Sequence, residues 1–363
     1  MTSAPVPGSP ADCPAQRRSG GIRRSVGMKD VAALAGVSPK TVSNVINGVV
    51  PVATATRERV REAIRLLDYR PNTSARNLRR GRTGMVGLIL PELDVPYFAE
   101  LARCFLEAAE GRFTLLIEQT LGERAREEAV LDALGAQVVD GIVLSPLNLR
   151  ASELAVRLRD MPVVLIGERP SEGLTDHVAV DNVRAARDAV EHLLGLGRRR
   201  VAAIGAQPDA GVGTPLLRLT GYREALRAAG LPEQPELECE TPGYHRQDGA
   251  SAMAALLDGG EPFDAVFCFN DALALGAQRV LHERGIRVPE DVAVVGFDDV
   301  DESRFSVPSL SSVSPDKDAI AREALSLLQR RIEDPAAPVR EAVIGHRLRV
   351  RESTSGRTVR GGR

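Results

Sequence analysis

From residue 85 onward the chain alternates short apolar, β-branched runs with amphipathic helical stretches, and that alternation leaves few folds open to it. The runs fall at 85–90, 113–117, 141–144, 163–166, 178–180, 201–204, 265–268 and 292–297. Strands that are apolar on both faces belong to parallel sheets covered by crossover helices. Eight of them over so long a stretch fit two doubly wound lobes better than one. Ligands in such folds bind beyond the carboxyl ends of the strands, and a cleft between two lobes is the natural place for one.

The preceding segment has a different texture. Residues 1–26 are rich in Pro, Gly, Ser and Arg without periodicity, as expected of a disordered arm. From 28 to 69 the apolar residues recur at helical spacing. Val31, Leu34 and Ala35 make one face, Val42, Val45 and Ile46 a second, and Val60, Ala63, Ile64 and Leu67 a third. Pro71 interrupts the pattern, and 72–78 reads as one more short helix before a Gly81-Arg82-Thr83-Gly84 linker. The expected organisation is therefore an arm (1–26), a small all-α domain (27–71), a hinge helix and linker (72–83), a two-lobed α/β body (84–351) and a flexible tail (352–363).

The formal charge of -2 hides a segregation. Residues 28–82 carry 2 Lys and 9 Arg against four acids, a balance of +7, and residues 1–27 add +3. A basic head on an acidic body points to a polyanionic partner. The four cysteines (Cys13, Cys104, Cys239 and Cys268) have neither C-x-x-C spacing nor the density of a disulfide scaffold, so they read as free thiols in a reducing compartment. No run reaches the length of a membrane span, and no apolar stretch follows Arg17, Arg18, Arg23 and Arg24 as in an export signal. The expected location is the cytoplasm. H-E-x-x-H, G-x-S-x-G and P-loop sequences are lacking, so no catalytic residue, metal ligand or cofactor is assigned. His177 and His192 stand alone, without the partners a metal site needs.

The segment MKDVAALAGVSPKTVSNVING (28–48) is the strongest local signal. Gly36 sits where a tight turn between helices wants positive φ, which glycine adopts without steric cost. Ser38 is a good N-cap and Pro39 suits a first helical position, so a second helix starts there with Lys40, Thr41 and Asn44 near its N-terminal end. In a helix-turn-helix that end faces base edges in the major groove.

With TRERVREAIRLLDYRPNTSARNL (56–78), this segment closely resembles the DNA-binding head of LacI/GalR-type transcriptional repressors, and the resemblance runs through nearly all of 28–351. It implies a helix-turn-helix domain joined to a periplasmic-binding-protein-like body, a homodimer with tetramers left open, and double-stranded, near-palindromic operator DNA as partner. On it, Pro39, Lys40 and Asn44 occupy base-reading positions, and Ser38, Thr41, Ser43 and Asn47 hold phosphates. Residues 72–78, opening with Asn72, match the hinge helix, with Ala75 and Leu78 entering the minor groove at the cost of an unstacked step. Packing between two hinge helices is the other use of Leu78. Arg76, Arg79, Arg80 and Arg82 would neutralise phosphates. One departure is Ala53, where the family often has a capping residue before the third helix, with Thr54 as a substitute.

Four further stretches resemble the family's effector cleft: 91–98 with Asp94, Tyr97 and Phe98; 216–222 with Arg218; 269–271 with Phe269 and Asn270; and 296–299 with Asp298. Their chemistry suits a polyol. Asn270 and Asp298 can bond vicinal hydroxyls, Arg218 offers a planar fork of donors, and Phe98 or Phe269 can cover a sugar ring. Bland roles stay open beside these: Phe269 in the core, Arg218 paired with an acid, and Asp271 capping a helix from Ala272. Asp181 and Asn182 are placed at the junction of the lobes. Leu216 stands where some members carry a second Arg for charged ligands, which favours a neutral sugar as the effector. The other readings are a regulator answering to DNA alone or to a protein partner, and a sugar-binding transport receptor.

Overall fold

The structure is a computed structural model and describes residues 27–47, 51–67, 69, 82–134, 139–157, 161–168, 171–207 and 213–355. The expected arm, Cys13, the hinge positions Asn72, Ala75, Arg76 and Leu78, and the chain after Ser355 lie outside these residues. The chain forms two units that divide between Arg76 and Asn77.

The first unit holds helices α1 (Met28–Ala35), α2 (Pro39–Asn47) and α3 (Thr54–Leu66). Asp30 ties the start of α1 by accepting from the Gly27 N–H at 2.7 Å, and Gly36 ends it in the left-handed region at φ 64°. The Ser38 hydroxyl accepts from the Thr41 N–H at 3.1 Å and caps α2. Ala53 is the N-cap of α3 and gives no side-chain bond, while Thr54 is already helical, so the departure seen in the sequence leaves that helix start uncapped. Val31, Ala32, Ala35, Val42, Val60, Ala63 and Tyr69 form the core. Leu34, expected on the α1 face, is instead 52% exposed. At about 100° per residue the buried arc is centred on Val31, Ala32 and Ala35, and Leu34 lies beyond its edge.

The second unit contains two six-stranded sheets. In chain order its elements are β1 (Met85–Leu90), α4 (Pro96–Ala109), β2 (Thr114–Gln119), α5 (Arg124–Leu134), β3 (Ile142–Leu144), α6 (Ala151–Arg157), β4 (Val163–Ile166), β5 (Asp176–Val180) and α7 (Asn182–Gly195). There follow β6 (Val201–Ala206), α8 (Thr214–Ala228), β7 (Glu238–Glu240), α9 (Arg246–Gly259), β8 (Ala265–Cys268), α10 (Asp271–Glu283), β9 (Ala293–Phe297) and α11 (Glu302–Phe305). The unit closes with β10 (Ser311–Pro315), α12 (Lys317–Glu333), β11 (Glu341–Ile344), β12 (His346–Arg349) and α13 (Glu352–Ser355).

One sheet runs β11-β5-β4-β3-β1-β2, all parallel. The other runs β12-β10-β9-β8-β6-β7, with β12 antiparallel to β10 and the remaining pairs parallel. The chain passes between the lobes three times: from β5 into α7, from β10 into α12, and from β11 into β12. In both sheets the middle strands are buried on two faces, as the apolar runs require. Helix α12 lays Ile320, Ala321, Ala324, Leu325 and Leu328 at i, i+1, i+4 spacing onto the first sheet, so the late chain completes the early lobe. Helices α9 and α10 meet backbone to backbone. A methyl at Gly276 would strike the Arg246 carbonyl, and one at Gly249 the Leu273 carbonyl.

Strands β7, β10, β11 and β12 were not expected from sequence. β10 reads SSVSP, and its buried hydroxyls are satisfied internally: Ser312 donates to Asp271 at 2.6 Å and Ser311 bonds Thr354 at 2.7 Å. The tail expected to be flexible from 352 is held as far as Ser355. Ser353 donates to the Val294 carbonyl at 2.6 Å, and Glu352 accepts from the Ser309 N–H at 2.9 Å. Among the described residues no helix is long and apolar enough to cross a membrane.

Candidate functional site

A cavity of about 440 Å³ opens between the two lobes of the second unit. Its polar lining follows strand ends: Ser145 after β3, Glu168 beyond β4, Gln207 after β6, Asn270 beyond β8 and Asp298 after β9. The carboxyl edge of the first sheet thus brings two polar residues to the cleft and that of the second brings three. Tyr97, Phe98, Arg218, Asn270 and Asp298, all singled out from sequence, line this one cavity.

Arg218 projects from α8 and is buried. Its Nε donates to Asn182 Oδ1 at 2.7 Å, one terminal nitrogen donates to the Phe269 carbonyl, and the other faces Asp298 Oδ1 at 3.8 Å. Its guanidinium lies over the Phe297 ring, 3.4 Å from the ring centre. Asn182, placed at the lobe junction by sequence, joins two charged groups there, because its Nδ2 donates to Glu168 Oε1 at 2.8 Å and to the Val180 carbonyl at 3.1 Å. The second Glu168 oxygen accepts from the Thr214 hydroxyl at 2.8 Å, across the lobes. A second cross-lobe contact joins Glu92 to His245 at 3.1 Å.

Asp298 is buried with φ 108°, a left-handed conformation that aspartate tolerates better than most residues. Burial pushes its carboxyl up to about 8 against the pull of Arg218, and the nearby Asp271 adds to the rise. A carboxyl poised to hold or release a proton near neutrality can either donate to or accept from a ligand hydroxyl. Tyr97 and Phe98 meet edge to face at 5.2 Å and supply apolar surface, with Val95 and Tyr244.

The sequence-chosen set does not assemble completely. Asp94 is exposed in the loop before α4 and outside the lining. Phe269 is fully buried, its ring against Phe267 at 5.3 Å, so its carbonyl rather than its ring serves the site through Arg218. Asn270 lines the cavity while also capping α10, its Oδ1 accepting from the Leu273 N–H at 2.8 Å. Asp271, a candidate cap, lies below, accepting from the Val300 N–H at 3.0 Å and from the Ser303 and Ser312 hydroxyls at 2.7 and 2.6 Å. Glu92, Ser145, Glu168, Gln207, Tyr244 and His245 were not singled out beforehand. For Ser145, Glu168 and Gln207 the available signal was position just beyond a strand, the same signal that marked Asp298.

In the first unit, α2 exposes Ser38, Pro39 and Lys40, with Thr41, Ser43 and Asn44 half-buried beside them. The Ser38 and Thr41 hydroxyls bond each other at 2.9 Å. Asn47 is the last residue of the helix. The exposed N-terminal turn is the part of a recognition helix that a major groove accommodates.

The family described as bacterial regulatory proteins, lacI family, matches residues 27–72, and a periplasmic binding protein-like domain matches residues 190–354. The HTH-type transcriptional regulator CelR of Thermobifida fusca is 38% identical over 341 residues, which is 91% of this chain and 99% of CelR. A solved complex of transcriptional regulator CelR with cellobiose is 35% identical with a TM-score of 0.66, covering 90% of this chain and 99% of the other. The lac repressor dimer bound to operator and the anti-inducer ONPF is 25% identical with a TM-score of 0.75, covering 91% and 99%. These relatives are transcriptional regulators and not enzymes. With its helix-turn-helix head and its two-sheet ligand-binding body, the chain belongs to the lacI family of bacterial regulatory proteins.

Proposed function

We propose that the protein is a cytoplasmic repressor that binds a near-palindromic operator as a homodimer and is controlled by a small neutral sugar held between its lobes. The observation that carries this reading is the convergence of Arg218, Asn270 and Asp298 on one enclosed cavity in a chain with a DNA-reading head. The cavity offers hydroxyl-bonding groups at several strand ends and an aromatic wall, the combination a sugar ring needs. The cellobiose complex of CelR supports a saccharide as the ligand class. In the head, Pro39, Lys40 and Asn44 read bases while Ser38, Thr41, Ser43 and Asn47 hold phosphates. Asn72, Ala75, Arg76 and Leu78 order as a hinge helix on DNA, because so short a helix is unstable alone in water.

The test is thermal unfolding of the full-length protein against mono- and disaccharides, beginning with cellobiose and ribose. A ligand at 100 times its dissociation constant stabilises by about 2.7 kcal/mol. A rise in unfolding temperature with a neutral sugar supports the reading. Silence across the panel refutes the sugar effector and moves the weight to a regulator answering to DNA alone or to a protein partner.

A further inference from the structure

This inference rests on the reading of the cavity as a sugar site and concerns which sugars it admits. The described lining carries three acidic side chains, Glu92, Glu168 and Asp298, of which buried Asp298 is held toward its protonated form, and Arg218 is its single guanidinium or ammonium group. That cation donates from two of its three nitrogens, to Asn182 and to the Phe269 carbonyl, while the third faces Asp298 at 3.8 Å and the guanidinium lies on Phe297. The two-pronged recognition of phosphate or carboxylate uses a pair of guanidinium nitrogens, and two of the three on Arg218 already donate inside the protein.

Helix N-termini are the other common anion sites, through backbone N–H groups and the helix dipole. Four open on this cavity, and at each the first turn is partly taken from within the protein; at α9 the N-cap His245 gives its N–H to Asp248 at 3.0 Å. α4 begins with Pro96, which has no N–H to offer, and the loop before it carries Glu92. α8 has Pro215 in its first turn and already holds a carboxylate, since Thr214 donates to Glu168 at 2.8 Å. In α10 the Leu273 N–H is taken by Asn270 at 2.8 Å. Glu168 is the best placed of the three acids, because Asn182 and Thr214 fix both its oxygens at the lobe junction.

We propose that Glu168, clamped between Asn182 and Thr214 beside an already engaged Arg218, is a specificity-determining residue that restricts the cavity to uncharged polyhydroxyl ligands and turns away phosphorylated and acidic sugars. A neutral sugar offers hydroxyl protons to Glu92 and Glu168, whereas a phosphate or carboxylate meets like charge in a partly enclosed space where, among the described residues, Arg218 is the one guanidinium or ammonium group and is partly engaged.

The experiment is calorimetric titration of the full-length protein with matched pairs: cellobiose and cellobionate, glucose and glucose 6-phosphate, ribose and ribose 5-phosphate. For any pair whose neutral member binds, the anionic member should bind about tenfold more weakly or worse. Glu168→Gln should narrow that gap while the protein still unfolds cooperatively. Glu92→Gln, at a separate point on the lining, serves as a second probe should the first variant fold poorly. Equal or tighter binding of an anionic member overturns the filter and leaves the sugar reading standing. A gap unchanged in both variants removes Glu168 as its source and overturns the assignment. Absence of binding by every neutral and anionic sugar overturns the sugar reading itself, and the filter with it.

Discussion

Replacing Asp298 by Asn should stabilise the unliganded protein while weakening its ligand, and the size of the gain should depend on pH. Asp298 is buried, its carboxyl pairs with Arg218 no closer than 3.8 Å while Lys317 bonds its backbone carbonyl, and burial raises the carboxyl from 3.8 to about 8. A carboxyl whose pKa is higher in the folded state favours folding below the unfolded value, and that contribution is lost as pH rises through the folded value. The window therefore runs from about pH 4 to about pH 8. At about 1.4 kcal/mol per pH unit, the wild-type penalty at pH 7 reaches an upper bound of about 4 kcal/mol, and at pH 5 it is below about 2 kcal/mol. Asn carries no charge to bury and keeps an acceptor toward Arg218. Asp298→Asn should thus unfold at higher temperature than wild type at pH 7 to 8, with the difference shrinking toward pH 5. Differential scanning calorimetry of both proteins across that range reads the effect, and titration with cellobiose at pH 7 reads the accompanying loss of affinity. A variant less stable than wild type at pH 8, or a difference independent of pH, refutes the argument that Asp298 is an under-compensated buried carboxyl kept for its ligand.

Other substitutions test other parts of the account. Lys40→Ala should relax discrimination at one base pair by about 1–3 kcal/mol while leaving affinity for unrelated DNA little changed, as measured on a set of single-base operator variants. Gly36→Ala should cost about 1–2 kcal/mol from positive φ alone, because nothing lies within 4 Å of the added methyl; thermal melts of the head reveal it. Gly276→Ala should be far more damaging, since its methyl meets the Arg246 carbonyl and forces α9 from α10. The expected sign is a large fall in the unfolding temperature of the body with the head's own transition unmoved.

The sequence made legible those features whose physics is local. Gly36, Ser38 and Pro39 mark a turn and a helix start through their own backbone preferences, and the doubly buried strands announce themselves as apolar runs. β10 was hidden because its buried serines are reconciled to the core by Asp271, Ser353 and Thr354, partners 40 or more residues away in the chain. β11 and β12 alternate polar and half-buried residues at the sheet edges, where little apolar signal survives. The site divides along the same line. Arg218 and Asp298 were chosen where 216–222 and 296–299 resemble the family's effector cleft, and both reach the cavity. Glu168 shares with Asp298 a place just beyond a strand, but what sets it apart appears when the fold brings Asn182 and Thr214 to its two oxygens. Phe269 was open to two uses, a ring on the sugar or a place in the core, and the fold takes the second: just beyond β8 its ring is buried against Phe267.

The central claim is that one ligand-filled cleft governs one DNA-reading head. It is tested most directly by fluorescence anisotropy of the full-length protein on the site it selects from random duplex DNA, with and without a saturating neutral sugar that binds the cavity. The account predicts a two-fold symmetric site whose affinity the sugar changes by about 5- to 150-fold, the usual range of coupling between two sites. It also predicts that Asp298→Asn keeps the site but loses the response. A sugar that fills the cavity while leaving operator affinity unchanged would contradict it.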